Sequence, residues 1–64
     1  METITFNQFA KFIWLQNSGM INMYDVRRGC EYIGETKDVY RTIMDNYSEL
    51  RTKYKTELEE KGLI

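Results

Sequence analysis

Cys30 is the only thiol in this chain, and the sequence has no histidine to activate it. A cysteine nucleophile needs a neighbouring base or another source of thiolate character. Set on an apolar stripe without one, Cys30 reads as a buried structural thiol. Glu59 and Glu60 are adjacent carboxylates, but they fall at a charged helix end, not in a pocket where an acid–base pair could work. Zinc would need several cysteine, histidine or carboxylate ligands at suitable spacing, and that spacing is missing. No phosphate loop or nucleotide fingerprint is present. The expectation is a protein that is not an enzyme and uses no cofactor or metal.

The remaining chemistry is charge and apolar surface. Lys and Arg number 9 against 10 Asp and Glu, a net charge of −1. Residues 1–22 are neutral, residues 23–35 carry −1, and residues 36–64 have six charges of each sign. No half of the chain is basic, which argues against a strong phosphate-binding surface. Arg27, Arg28, Arg51, Lys53 and Lys55 are the residues a small DNA-binding regulator would use, and that is the alternative reading. Asp25, Glu31 and Glu35 stand beside the arginines, and glutamates follow the Arg51–Lys55 cluster.

The elements that must carry these residues are helical. Thr5-Phe6-Asn7-Gln8 has the form of a capping box, and Ile4 with Phe9 forms a hydrophobic staple around it. Phe6, Phe9, Ala10, Ile13 and Trp14 then share one face, with Phe12 and Leu15 off it. Asn17-Ser18-Gly19 ends this first helix. Asn22 reads as the cap of a second helix, with Asp25 at its third position and Ile21 stapled to Val26. Met23, Val26, Cys30 and Ile33 form its stripe. Gly29 costs about 1 kcal/mol against alanine in a helix, which close approach of another helix backbone would explain. Gly34 is a natural stop.

Thr36 opens the third segment. Tyr40, Ile43, Tyr47, Leu50 and Tyr54 recur at spacings of three and four, a helical stripe in an otherwise polar tract. Opposite charges four apart at Arg41/Asp45, Glu49/Lys53, Lys53/Glu57, Lys55/Glu59 and Glu57/Lys61 support such a helix weakly. Glu57, Glu59 and Glu60 oppose the helix dipole, which predicts fraying at the carboxyl end. The expected fold is one all-α domain over residues 1–64, with helices over about 6–16, 23–33 and 37–61. It has three helices, or four if Asn46, itself a capping residue, breaks the last.

A chain of 64 residues buries only about 60% of its unfolded surface and is marginal alone. An unbroken third helix of about 25 residues would run roughly 37 Å, past two short helices of roughly 16 Å each. It must then find cover outside the monomer. Phe12, Trp14, Leu15, Tyr47, Leu50, Tyr54 and Leu58 are the expected interface, and a protein-interaction module, homodimeric or bound to another protein, is the expected function. The longest apolar run, Phe12-Ile13-Trp14-Leu15, is too short for a bilayer or a signal-peptide core. The lone cysteine fits a reducing cytoplasm.

The stretch Ser18-Gly19-Met20-Ile21-Asn22-Met23-Tyr24-Asp25-Val26 resembles the S-G-x-x-N-M-(aromatic)-D core of a family of small uncharacterised phage and prophage proteins. Val39-Tyr40, Ile43-Met44, Asn46 and Tyr54 are loosely similar to the region that comes after that core. Gly29-Cys30 departs from the polar and small pair expected there, and the charged tail is longer. The family carries no established activity, so no functional residue transfers. The resemblance implies a viral origin, and with it a host protein as partner, including a defence or replication factor.

Overall fold

Thr5, Asp25 and Thr36 each set the start of a helix in the computed structural model, which describes residues 3–64. Thr5 opens α1 (Phe6–Ser18): its hydroxyl accepts from Gln8 N at 3.2 Å, and the Gln8 side chain accepts from Thr5 N at 2.9 Å. Asp25 opens α2 (Val26–Ile33), accepting from Arg28 N, and Thr36 opens α3 (Lys37–Asp45), accepting from Val39 N. Each side chain satisfies an amide that the first helical turn leaves unpaired. The chain continues through α4 (Tyr47–Lys53) and α5 (Lys55–Glu60), so the domain is all-helical among the described residues.

The second helix starts later than its sequence suggests. Asn22 caps a turn instead of a helix, its side-chain oxygen accepting from Tyr24 N at 2.9 Å, while Asp25 N donates to Asn22 O. Asp25 therefore takes over as the helix cap, and Met23 falls in the loop.

The expected single third helix is bent twice. Asn46 (φ −117°, ψ 23°) and Tyr54 (φ −104°, ψ 14°) leave helical geometry and divide it into α3, α4 and α5. Asn46 is not the side-chain cap its sequence context suggests. Its amide reaches backwards to the Thr42 carbonyl at 2.9 Å. One hydrogen-bonded row survives both bends: Asn46 N to Thr42 O, Leu50 N to Asn46 O, Tyr54 N to Leu50 O and Leu58 N to Tyr54 O. The bonds an unbroken helix would add from Tyr47, Ser48 and Glu49 to Ile43, Met44 and Asp45 are missing among the described residues.

These bends wrap the tract around α1. The tyrosines spaced seven apart run antiparallel to three phenylalanines of α1. Tyr40 meets Phe12 at 5.2 Å, Tyr47 meets Phe12 and Phe9 at 6.0 and 5.7 Å, and Tyr54 meets Phe9 and Phe6 at 6.2 and 5.6 Å between ring centres. Such pairs add about 0.5–1.5 kcal/mol each beyond area burial. Every one of the three hydroxyls has a protein partner: Tyr40 donates to Met23 O at 2.6 Å, Tyr47 to the Gln16 side chain at 3.0 Å and Tyr54 to Ile4 O at 2.7 Å.

The core is therefore contributed by every helix. Ile4, Phe9, Phe12, Ile13 and Leu15 meet Cys30 and Ile33 from α2, Val39, Tyr40 and Ile43 from α3, Leu50 from α4 and Leu58 from α5. The buried face of α1 is Phe9, Phe12, Ile13 and Leu15: Phe9 and Ile13 lie on the expected face, Phe12 and Leu15 join them, and Trp14 points away, 53% exposed. Gly29 explains itself through a side chain, not a helix backbone. A Cβ there would lie 2.4 Å from Tyr40 Cε2 and Cζ.

The carboxyl end of α5 is closed instead of loose. Gly62 adopts φ 73°, a conformation that suits a residue without Cβ, and Gly62 N and Leu63 N donate to Glu59 O and Leu58 O. This is a Schellman arrangement. Asn17 Nδ2 then ties Leu63 O to the end of α1 at 2.8 Å. None of the five opposite-charge pairs four apart closes to 4.0 Å among the described residues. The ion pairs found there are Lys11–Glu35 at 3.6 Å and Arg28–Asp25 at 3.8 Å.

Candidate protein-docking groove

The wrapping changes which residues are free to meet a partner. Of the seven expected at an interface, Phe12, Leu15, Leu50 and Leu58 are core residues of their own chain, with Leu50 8% exposed and Leu58 fully covered. Tyr47 and Tyr54 are partly buried, their rings packed on α1. Trp14 alone of the seven stands open, beside a depression lined by Ala10, Lys11, Lys61 and Leu63. The rod left uncovered by its own monomer, the premise for the expected seam, is overturned. Its bends bring Tyr47 and Tyr54 back onto α1 and bury Leu50 and Leu58 in the core.

A second apolar recess lies on another side, between the α1–α2 loop and the α3–α4 bend. Loop residues 19–25 are held by local bonds. Gly19, at φ 66°, turns the chain out of α1. Asn22 fixes the turn beyond it. Tyr40 anchors the loop from below through Met23 O. The consequence is that Tyr24 projects outward, 82% exposed.

Beneath Tyr24, the groove is lined by Phe12, Met23, Met44 and Tyr47, with Gln16 and Asn22 as polar neighbours. Its volume is about 430 Å³ and it opens to solvent. Phe12 is the buried floor, and Met23 and Met44 are half-buried walls. Methionines are unbranched and polarizable, so they conform to varied apolar shapes. Gln16 is held by the Tyr47 hydroxyl. The arrangement suits an inserted apolar side chain with hydrogen-bonding groups around it.

The titratable groups offer little else. Burial, then the Asp25 carboxylate, then Cys30, push the Tyr40 hydroxyl above its ordinary range, which keeps it a neutral donor to Met23 O. Cys30 is buried, its thiol donating to Arg27 O at 3.2 Å. Among the described residues, no group of three or more His, Cys, Asp or Glu could hold a metal ion.

Arg27, Arg28, Arg51, Lys53 and Lys55 are all exposed. The two arginines lie on α2, whose outer surface also presents Glu31, with the Asp25 cap beside it. Arg28 faces Asp25, and Lys53 sits 5.2 Å over the Tyr54 ring. Arg51 and Lys53 belong to α4 and Lys55 to α5. Among the described residues no helix is long and apolar enough to cross a membrane.

Sequence periodicity could not mark this groove. Tyr24 is in no helical stripe, Met44 falls beside the tyrosine row, and the pattern places Met23 inside α2. The available signal was the run Met20-Ile21-Asn22-Met23-Tyr24, four apolar residues of five in a turn. Comparison with protein-family models, with curated proteins and with solved structures finds no match.

Proposed function

We propose that this protein is a non-enzymatic protein-binding module whose Met-lined groove takes an apolar segment of another protein. The observation that carries this reading is Tyr24, 82% exposed above the half-buried Met23 and Met44. A tyrosine of that exposure is a large amphipathic contact held at low conformational-entropy cost, and aromatic residues and Met are enriched at the centres of protein interfaces. The Ser18–Val26 core supports a phage origin, in which the partner is a host protein and binding modulates it. Self-association through an uncovered third helix has lost its basis, because Leu50 and Leu58 are buried in the chain's own core. The DNA-binding alternative is weakened by the acidic groups that share the surface of Arg27 and Arg28.

Immobilised wild-type protein, set beside Tyr24→Ala, Met44→Asp and Trp14→Ala, tests the proposal against a bacterial lysate. A protein retained by wild type and Trp14→Ala but lost by the two groove variants supports it, provided circular dichroism shows all four folded. Equal retention by all four contradicts it. So does a salt-dependent shift of duplex DNA at about 50 mM salt that disappears in Arg27→Ala/Arg28→Ala.

A further inference from the structure

We infer that Asn46 is a hinge for exchange between two copies. In the second state residues 37–53 run as one helix, and α4–α5 of each copy cover α1 of the other. The contrast among helix starts carries the inference. α1, α2 and α3 each begin with a side-chain cap, whereas α4 and α5 have none, and of their two bends the one at Asn46 comes first, so its straightening moves everything after it. No side-chain cap therefore starts α4 at the break, and the local side-chain bond there, Asn46 Nδ2 to Thr42 O, closes the end of α3. The break is maintained by contacts made further along the chain: the Tyr47 and Tyr54 rings on α1, Leu50 and Leu58 in the core, and Asn17 on Leu63 O.

The bend has a local cost. It forgoes the backbone bonds from Tyr47, Ser48 and Glu49, and no side chain replaces them at the α4 start. Straightening requires little rebuilding. Asn46 N to Thr42 O and Leu50 N to Asn46 O already have helical spacing. At Asn46, φ −117° and ψ 23° need to move by about 55° and 65° to reach the helical values. The straightened segment of 17 residues would be about 25 Å long, and its far half could no longer lie on its own α1.

The surface it abandons fits a second copy because identical chains present identical α1 faces. Tyr47, Leu50, Tyr54 and Leu58 would regain Phe6, Phe9, Ile4 and their neighbours in the partner. The contacts amino-terminal to the hinge, Tyr40 with Phe12 and Met23 O, stay within each copy. Exchange of an identical element is a low-cost route to a dimer, since nearly every interface contact already exists in the monomer. Tyr47, one wall of the groove, would come from the partner copy in the exchanged state, so the exchange is read from mass and cross-linking and not from binding at the groove.

The test uses the full chain, unfolded and refolded at about 1 mM and at about 10 μM, with mass measured by light scattering. The dimer fraction should appear only after concentrated refolding. Asn46→Ala should dimerise roughly thirty-fold more strongly than Asn46→Gly, the square of alanine's helix-interior preference over glycine because two copies straighten. A second readout identifies the exchange. Asn7 and Lys61 line one depression across α1 and the tail. Co-refolded Asn7→Cys and Lys61→Cys copies, both carrying Cys30→Ala, should be joined by a short bis-maleimide, and copies mixed after separate refolding should not. Equal dimerisation of the Ala and Gly variants, no dimer at about 1 mM, or a dimer that fails to join Asn7→Cys to Lys61→Cys would each overturn the inference.

Discussion

Replacing Gly29 with alanine should destabilise the protein, although helix propensity alone says the opposite. In an exposed helix interior, Gly→Ala gains about 1 kcal/mol. Here the new Cβ would stand 2.4 Å from Cε2 and Cζ and 2.5 Å from the hydroxyl oxygen of Tyr40. Carbon atoms rest at roughly 3.5–4.0 Å, so the ring must retreat by more than about 1 Å. Tyr40 has no room to do so. It is fully buried, its hydroxyl is bonded to Met23 O at 2.6 Å, and the Phe12 ring centre lies 5.2 Å away. Overpacking of this kind costs about 1–3 kcal/mol, and the rigid surroundings place it toward the upper end. The net effect should be a loss of about 1–2 kcal/mol, or a fall in Tm of on the order of 5–15 °C for a domain of this size. Urea unfolding monitored by circular dichroism measures it. The same substitution in a Tyr40→Leu background should become neutral or stabilising, because the atoms it meets are gone. A Gly29→Ala protein more stable than wild type would mean that Tyr40 yields freely, against the packing described.

Leu58→Ala should cost about 2–4 kcal/mol, since its fully buried side chain would leave a cavity, while Lys55→Ala on the same short helix should change stability by less than about 0.5 kcal/mol; thermal melts separate the two. Alkaline pH should weaken the fold through Tyr40. Its folded pKa is raised by burial first and then by Asp25 and Cys30, so the contribution is complete below the unfolded value of about 10 and is lost as pH climbs from there through the folded value. Tyr40→Phe, which leaves Met23 O without its donor at a cost of about 1 kcal/mol, should show a shallower loss of stability above pH 10 than wild type in urea titrations.

Local chemistry in the sequence was enough for several helix boundaries. Thr5 and Gln8 close the capping box as their spacing requires, Gly19 ends α1, and Thr36 starts α3, because these features depend on a few neighbouring residues. Asn22 and Asp25 competed for one role, and the turn bonded through Asn22 left the helix start to Asp25. The tyrosine repeat was legible as a stripe but not as a partner for α1. Seven-residue spacing fits a straight seam and a bent wrap equally well. What decides between them is the match of Tyr40, Tyr47 and Tyr54 to Phe12, Phe9 and Phe6, which are distant in sequence. Without that match the interface is misplaced too: Leu50 and Leu58 look exposed only while the helix is drawn straight. The groove was hidden for a different reason, since its walls come from a loop, α3 and α4 and follow no single period.

In the dilute monomer, α4 and α5 cover α1 of the same chain, and both the open groove and the exchange of copies depend on that cover. Nuclear Overhauser contacts between the Tyr54 ring and the rings of Phe6 and Phe9 probe it without an intermediary, recorded at about 50 μM with relaxation rates reporting particle size. Both contacts are expected in a particle tumbling as a single 7.7 kDa chain, with slow amide exchange at Leu50 and Leu58. A monomer of that size lacking both contacts, with fast exchange after Asn46, would show α1 to be covered by something other than its own tail.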